Sequence, residues 1–347
     1  MACPPCGMRV LVSTSSQLCR VDAVVAARLR AQRLQCVRPP RSAACRASAV
    51  LATEAAPHVH AVQCYIEYTD CFQVVYYANY FRFCAQAREA ALGAALLRDV
   101  LRDADGRMAV LSVTGGRLAS PAVLGDLLAV RSYVVAADGA RLVFRQAVSP
   151  AAAPPGSKPH AVCDVTVGFT HARTGELLPL PAALAVPALP APPPHDPVLP
   201  FADNAAVAET RVPLCGDELG PGGLPSETDV LRWFERNRTD AIGGGAGLRA
   251  LQAAGVLVVV TSVGPVQVDT RAMAVVARGE IAEVVVRSGV VARRKGTFFV
   301  FRQEAYAAGE GGALLAQGEV TCACVSAADM RLCPAPQALL ARLAPDG

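Results

Sequence analysis

The strongest constraint on the fold of this 347-residue chain is an internal duplication, because one succession of sequence features occurs twice. In the first copy a helical pattern contains Arg88 and ends at Gly93, and in the second copy a similar pattern contains Arg238 and ends at Gly243. Each pattern is followed by segments of alternating polar and apolar residues that are typical of antiparallel strands. The chain is therefore expected to fold as two similar units.

Two short motifs strengthen the comparison of the copies. The triplet Phe-Arg-Gln occurs at 144–146 and again at 301–303, and the last strand pattern reads Asp-Val-Thr at 164–166 and Glu-Val-Thr at 319–321. Each unit is then a strand, a long helix and three or more antiparallel strands, whose apolar helix and sheet faces must be buried against each other. We predict an α+β fold in which a curved antiparallel sheet wraps a central helix, twice.

A proline-rich segment separates the copies. Nine prolines lie between Leu178 and Pro200, which is typical of an extended, semi-rigid linker. The predicted organisation is listed here by residue number: a targeting segment at 1–60, a first domain at 61–184, a linker at 185–204 and a second domain at 205–347.

The first sixty residues differ from the rest in composition. They contain eight arginines, no lysine and two acidic residues, and residues 24–34 can form a basic amphipathic helix. An Arg-rich, acid-poor segment is typical of organelle transit peptides, so we expect a protein of the plastid stroma, with the mitochondrion or an unprocessed arm as alternatives. Without this segment the formal net charge changes from +4 to −2, which gives no support for nucleic-acid binding.

Neither a metal site nor a membrane span is predicted. Cys322 and Cys324 share one face of a predicted strand, but no second pair at metal-ligand spacing accompanies them. Apolar runs such as 256–260 are too short to cross a bilayer. No cofactor is expected.

The segment 68–93 carries the best candidate chemistry. Asp70 precedes the aromatic pair Tyr76 and Tyr77 at the point where a strand pattern changes to a helix. Free N–H groups at a helix N-terminus can stabilise the negative charge that develops on a carbonyl oxygen while a nearby carboxylate acts on its carbon. The helix dipole is also expected to favour the anionic form of Asp70, which suits a base or nucleophile.

The sequence of this segment resembles that of the hot-dog fold thioesterases of the 4-hydroxybenzoyl-CoA thioesterase type. Those proteins have an aromatic residue, a Thr-Asp pair, a short loop, then Val-Val-Tyr and Ala-Asn-Tyr leading into the central helix. The matching residues here are Tyr68, Thr69-Asp70, Val74-Val75-Tyr76 and Ala78-Asn79-Tyr80. The resemblance continues through residues 121–130 and, more faintly, through 205–340, so it implies a double hot-dog fold.

The resemblance also implies roles for individual residues. Asp70 would attack the thioester or activate a water, and the N–H near Tyr77 would bind the carbonyl oxygen. Asn79 and Tyr80 would orient Asp70 or the substrate, or else cap and pack the helix. The candidate catalytic residues are Asp70, Tyr77 and Asn79, and the candidate substrate-binding residues are Phe72, Gln73, Val75, Tyr76 and Tyr80.

Both copies depart from the family pattern. The family has glycine where this chain has Gln73, so Gln73 can donate to the thioester oxygen, Phe72 can narrow an acyl tunnel, or the site has decayed. The second copy keeps Asp217 and Gly220 at the family spacing but lacks the tyrosines and asparagine. Asp217 and Glu235 are the second-site candidates, with a turn residue and a paired surface acid as the structural alternatives.

We therefore expect a thioesterase that acts on an acyl or aroyl thioester of acyl carrier protein (ACP) or CoA, with the two units packed like a dimer around a shared cleft and further homo-oligomers possible. The basic turn at 293–295 can meet the phosphates of CoA or an acidic carrier, although a solvated turn is favoured. Arg88 and Arg238 can pair with acids across the helix interface, although structural roles are favoured. The alternatives are a non-catalytic acyl-thioester-binding protein and a hot-dog dehydratase. The dehydratase is disfavoured because neither central helix contains a histidine.

Overall fold

The computed structural model of the protein describes residues 49–70, 72–154, 156–194, 198–201, 207–215, 219 and 224–344. Most of the predicted targeting segment, residues 1–48, lies outside the described residues, as does the second-site candidate Asp217.

The first half contains one long central helix, a second helix directly after it, a 3-10 turn and the strands of its sheet. Its elements in chain order are β1 (Ala49–Val50), β2 (His58–Gln63), a 3-10 turn (Ile66–Tyr68), α1 (Tyr77–Leu92), α2 (Ala94–Ala104), β3 (Gly106–Leu118), β4 (Leu127–Ala137), β5 (Arg141–Pro150), β6 (Ala161–His171), β7 (Leu177–Leu178) and β8 (Leu184–Ala185). The predicted domain start at residue 61 falls inside β2, which pairs along its whole length with β4.

The second half repeats this order. Its elements are β9 (Ala208–Pro213), α3 (Glu227–Ile242), α4 (Gly244–Ala253), β10 (Val256–Val268), α5 (Thr270–Ala277), β11 (Glu283–Arg293), β12 (Phe298–Ala307), β13 (Leu314–Ser326) and α6 (Gln337–Leu343). As the sequence predicts, both central helices end at their glycines, because Gly93 and Gly243 are the C-cap residues of α1 and α3.

One antiparallel sheet runs through both halves. Its strand order is β2-β4-β5-β6-β3 in the first half and, in mirror order, β10-β13-β12-β11-β9 in the second, with β3 and β10 paired at the centre. In that central pair Ser112 lies opposite Gln267 and Arg117 lies opposite Ser262. Equivalent residues of the two halves are 150 positions apart, as the first residues of α1 and α3 show. Ser112 is thus equivalent to Ser262, and Arg117 to Gln267, so the two halves pair through the same residues, as the subunits of a symmetric dimer do.

The recurring Phe-Arg-Gln triplet has a structural cause in each of its three positions. Phe144 and Phe301 are fully buried beneath the helices. Arg145 forms an ion pair with Asp164 on the neighbouring strand, and Arg302 forms the corresponding pair with Glu319. The glutamines, Gln146 and Gln303, are buried and each binds the arginine of the central helix in its own half, Arg88 or Arg238.

The two central helices lie on one face of the sheet and contact each other. Helix α1 packs against β2, β4 and β5, while α3 packs against β9, β11 and β12. Large aromatic side chains fill the space between helix and sheet, including Phe83 on α1 and Trp233 on α3. Burial of such side chains contributes roughly 1.5–3 kcal/mol each, so this helix–sheet interface stabilises both halves.

The proline-rich segment is hydrogen-bonded to the sheet within its length and at the residue that follows it. The Ala137 N–H donates to Pro190 O at 3.0 Å, and the Phe201 N–H donates to the Glu304 carboxylate at 2.6 Å. Glu304 lies on the face of β12 opposite to the buried Phe301, because successive side chains of a strand alternate. The chain at Phe201 therefore contacts the face of the sheet opposite to the helices.

Neither a membrane span nor a metal cluster is found within the described ranges. None of the helices there is both long and apolar enough to cross a bilayer. In the same part of the chain, no three His, Cys, Asp or Glu side chains come together in a way that could hold a metal ion. Cys322 and Cys324 are free and buried on β13.

Candidate active site

Asp70 lies in a tight loop immediately before the first central helix. The loop folds back on itself because the Asp70 N–H donates to Val74 O at 2.9 Å and the Tyr76 N–H donates to Tyr68 O at 2.9 Å. Thr69 and Val75 form an antiparallel bridge between these two contacts. The carboxylate is thus carried on a hairpin whose second strand leads directly into α1.

The Asp70 side chain is partly buried and held by its own loop. Its Oδ1 accepts a hydrogen bond from the Phe72 N–H at 2.8 Å. Burial raises the pKa of Asp70, and backbone hydrogen bonds from Phe72 and Val74 oppose the rise without cancelling it. The sequence-based expectation that the helix dipole favours the Asp70 anion concerns a separate contribution and stays a prediction. A raised pKa makes the ionised carboxylate a stronger base.

Gln73 takes the backbone conformation that glycine would favour. Its φ is +62°, and its carbonyl accepts a hydrogen bond from the Leu124 N–H at 3.0 Å. The loop therefore follows its path without the family's glycine, at a cost on the order of 1 kcal/mol for a side chain in the left-handed region. The side chains of Gln73 and Phe72 are exposed, so both lie at the outer edge of the loop.

The N-terminus of α1 is open in the sense that no side chain caps it. Tyr76 is its N-cap residue and its side chain makes no capping hydrogen bond, and the first turn contains no acidic residue. Tyr77 and Ala78 occupy the first two helical positions, whose N–H groups have no acceptor within the helix. These two N–H groups and the helix dipole make this point favourable for a developing negative charge.

Asn79 and Tyr80 tie the start of the helix to the surrounding loops. The Asn79 Nδ2 donates to Tyr68 O at 2.9 Å, and its buried Oδ1 has no hydrogen-bond partner in the described part of the chain. The Tyr80 hydroxyl accepts from the Ala122 N–H at 2.7 Å, and burial raises its pKa to about 12. Asn79 thus holds the loop that carries Asp70 against the first turn of α1, and Tyr80 holds the loop between β3 and β4 there.

Tyr77 reaches from the first half into the second. Its ring stacks edge-to-face on Tyr76 with centroids 4.9 Å apart, and its hydroxyl donates to Leu231 O on α3 at 2.9 Å. The Arg238 Nη2 donates to the same hydroxyl oxygen at 2.5 Å. Val75, between Asp70 and this pair, is buried. The candidate site therefore lies where the two central helices meet.

The equivalent helix start in the second half is closed. Ser226 caps α3 in a capping box with Asp229: its hydroxyl accepts from the Asp229 N–H at 3.3 Å and its own N–H donates to the Asp229 carboxylate at 2.7 Å. Glu227 adds a second carboxylate to the first turn. Two acidic groups at this point disfavour any further negative charge, so α3 lacks the open terminus that α1 has.

Glu235 lies beside the first site rather than in a second one. It forms an ion pair with Arg238 on the same helix, and its side chain is 34% exposed. Burial raises the pKa of Tyr76 and of Tyr77, and the nearby Glu235 carboxylate raises both further. The sequence prediction grouped Glu235 with Asp217, whereas the structure brings it close to the start of α1.

A cleft of about 480 Å³ lies elsewhere, over β9, β11 and β12. Its walls include Arg211 and Arg287, which form exposed ion pairs with Glu283 and Glu209. An acyl chain placed there would have to desolvate these charges. The cleft contains none of the candidate site residues.

The structure resembles solved thioesterases in fold. No family model and no curated protein sequence matches the chain. Among solved structures, a 12:0-ACP thioesterase from Umbellularia californica is similar with a TM-score of 0.54 and 11% identity over 76% of this chain and 93% of that one. An acyl-ACP thioesterase from Bacteroides thetaiotaomicron VPI-5482 is similar with a TM-score of 0.50 and 10% identity over 77% of this chain and 97% of that one.

These matches extend over more of the chain than either half contains, so both halves share the arrangement of the solved proteins. The protein has the double hot-dog fold, and the fold that the sequence resemblance implied is confirmed.

Sequence reasoning did not assign Arg238 to the site. The available signal was its recurrence with Arg88 in both copies, which predicted pairing across the helix interface but gave no reason to place Arg238 next to Tyr77. Arg238 binds the phenol of Tyr77, whereas Arg88 binds the carboxylate of Glu227. Because the two partners are different residue types, the sequence does not show that the contacts are equivalent.

Proposed function

We propose that this protein hydrolyses acyl or aroyl thioesters to the free acid and a thiol. The observation that carries the proposal is the partly buried Asp70, held by a hairpin directly ahead of the open, acid-free N-terminus of α1. The double hot-dog fold of acyl-ACP thioesterases supports the same reaction class at the level of fold.

In the proposed reaction the thioester carbonyl lies against the first turn of α1. Asp70 either attacks the carbonyl carbon or removes a proton from the attacking water. The negative charge that develops on the carbonyl oxygen is stabilised by the Tyr77 N–H, a contribution of roughly 3–4 kcal/mol in other acyl-transfer enzymes. The C–S bond then breaks and the thiolate takes up a proton. If water attacks directly, the acid is released at this step; if Asp70 attacks, the acyl group is left on Asp70 as a mixed anhydride, which a water molecule hydrolyses to the free acid and the regenerated carboxylate.

One site per chain is proposed. The capping box and the two carboxylates at the start of α3 make the second half unsuited to the same role, so it would act as the partner unit of an intramolecular pseudo-dimer. The carrier is proposed to be ACP, as in the solved acyl-ACP thioesterases, with CoA as the alternative. An ACP-linked substrate also agrees with the plastid location that we propose from the N-terminal composition.

The test is thiol release by the full chain from panels of acyl-ACP and acyl-CoA of increasing chain length, including one aroyl-CoA. Asp70→Asn is expected to lower kcat by a factor on the order of 10²–10⁴, because it removes the base or nucleophile and preserves shape. Asp164→Asn is the matched control, since Asp164 pairs with Arg145 on an exposed strand face. Because Cys215 is exposed, thiol reagents are calibrated on the protein alone.

If the wild type hydrolyses a thioester and Asp70→Asn does so at the same rate, the assigned site is contradicted. Saturable binding of acyl thioesters without thiol release would instead support the non-catalytic acyl-binding alternative. Formation of an enoyl product from a hydroxyacyl thioester would support a dehydratase.

A further inference from the structure

We infer that Arg238, contributed by the second half, is a positioning residue for the active site of the first half. It fixes the start of α1, and with it the Tyr77 N–H, by holding the Tyr77 hydroxyl across the interface between the halves. This inference rests on the proposed function, since the Tyr77 N–H is the proposed oxyanion donor.

The Tyr77 side chain is a suitable handle for its own backbone. Tyr77 is the first residue of α1 and is buried, and its hydroxyl has both a donor and an acceptor contact on α3, from Arg238 at 2.5 Å and to Leu231 O at 2.9 Å. The Arg238 guanidinium carbon also lies 5.3 Å from the centre of the Tyr77 ring. With the phenol held at its tip and along its face, the backbone of Tyr77 has little freedom to move.

Arg238 is itself held on several sides. It is 1% exposed, and its Nη1 donates to Gln303 Oε1 at 2.6 Å. Gln303 is fixed in turn, because its Nε2 donates to Phe234 O at 2.8 Å and to Asn237 Oδ1 at 3.0 Å. Glu235 supplies the opposite charge. A planar guanidinium bound in this way presents its donors in a fixed direction.

The mirror contact explains why a tyrosine is suited to this position. Arg88 of α1 binds Glu227, the residue of α3 that corresponds to Tyr77. There the anchor is a carboxylate at the helix start, whereas the phenol of Tyr77 gives the same anchorage without a negative charge next to the proposed oxyanion. The Arg88 contact therefore provides an internal control with the same geometry and no proposed catalytic role.

The experiment compares Tyr77→Phe, Arg238→Gln and Arg238→Lys with Arg88→Gln in the full chain, using kinetics on the best thioester and hydrogen–deuterium exchange. Tyr77→Phe keeps the ring and the backbone N–H and removes only the anchored hydroxyl. We expect it to lower kcat by about tenfold with little change in KM, because a donor displaced by a fraction of an ångström stabilises the transition state less well. Arg238→Gln should lower kcat at least as much, and Arg238→Lys should restore part of it.

Exchange gives a readout that does not depend on turnover. Arg238→Gln and Tyr77→Phe should accelerate exchange at the start of α1, at residues 76–80, whereas Arg88→Gln should accelerate it at the start of α3 and leave kcat within about twofold. If Arg238→Gln does not fold, Tyr77→Phe still decides the question.

Folded Tyr77→Phe with wild-type kcat, or unchanged exchange at 76–80 in both variants, overturns the inference. An equal loss of kcat in Arg88→Gln also overturns it, since that result would indicate general loosening of the interface. If the wild type hydrolyses no thioester while exchange changes as expected, the proposed function and the catalytic part of the inference fail, and the anchorage alone is supported.

Discussion

Tyr77 and Glu227 are the first residues of the two central helices, and each binds the arginine that the other helix contributes. The exchange is reciprocal in geometry but not in charge, because one anchor is a neutral phenol and the other a carboxylate. Duplicated scaffolds can therefore present different helix termini, one open to an anion and one already occupied by acidic side chains. The two helix starts therefore differ in charge although both are anchored by an arginine of the other helix.

The raised pKa of Asp70 predicts the acidic limit of activity. If ionised Asp70 is the base or nucleophile, activity is lost as the pH falls through its pKa, and burial places that pKa above the ordinary aspartate value. The pH profile of kcat/KM should therefore decline at a higher pH than an unperturbed aspartate would give. A limb at or below the ordinary value would contradict the assignment.

The same shift predicts an effect on stability. Because folding raises this pKa, the folded state holds the proton more tightly, so Asp70 destabilises the fold once the pH is above both values and ceases to do so as the pH falls below them. Asp70→Asn should then melt at or above the wild-type Tm at neutral pH, with the difference vanishing in acid. The control Asp164→Asn, which removes the ion pair with Arg145, should not raise Tm.

The buried pair of Arg88 and Glu227 is expected to dominate the mutational sensitivity of the interface. Both side chains are 1% exposed, so Arg88→Met leaves an unpaired buried carboxylate and should cost about 3–5 kcal/mol in denaturant unfolding. The double variant Arg88→Met/Glu227→Gln should recover much of that loss, because no charge is then left unpaired. Arg145→Met, in the exposed pair with Asp164, should cost no more than about 1 kcal/mol. Additive losses in the double variant would contradict the pairing.

The cap of α3 predicts a separation of stability from activity. Ser226→Ala removes the hydroxyl that accepts from the Asp229 N–H and should cost about 0.5–2 kcal/mol. If the start of α3 takes no part in catalysis, kcat should be unchanged when measured well below the melting temperature. A large drop in kcat without further unfolding would assign a role to the second helix terminus.

Much of the fold could be predicted because it depends on repeated local signals. The helix ends at Gly93 and Gly243 and the strand patterns around the Phe-Arg-Gln triplets are fixed by nearby residues. The role of each triplet glutamine depended on a helical arginine more than fifty residues away, which no local pattern encodes. The fold class could therefore be predicted from the sequence, whereas the hydrogen bonds that explain the recurring triplets could not.

The candidate site was only partly accessible for the same reason. Asp70 and the helix start at Tyr77 follow one another in the chain, so their proximity was predictable. The direction of the Asp70 pKa shift depends on how much solvent the folded loop excludes, and the place of Glu235 depends on how the two helices cross. Both are properties of tertiary packing.

Gln73 provides the most direct test of whether the loop conformation or the side chain matters. Its φ of +62° is one that glycine adopts without strain, and its side chain is exposed. Gln73→Gly should leave kcat unchanged or raise it, with a stability change within about 1 kcal/mol, because relief of strain offsets the added freedom of the unfolded chain. Gln73→Val should have lower kcat and lower stability, since a β-branched residue is disfavoured at positive φ.

Asp105→Gly and Asp105→Val, at φ +45° on the far end of α2, are the matched controls and should change stability in the same sense without changing kcat. A large loss of kcat in Gln73→Gly would instead show that the glutamine side chain takes part in the reaction, as a donor to the substrate.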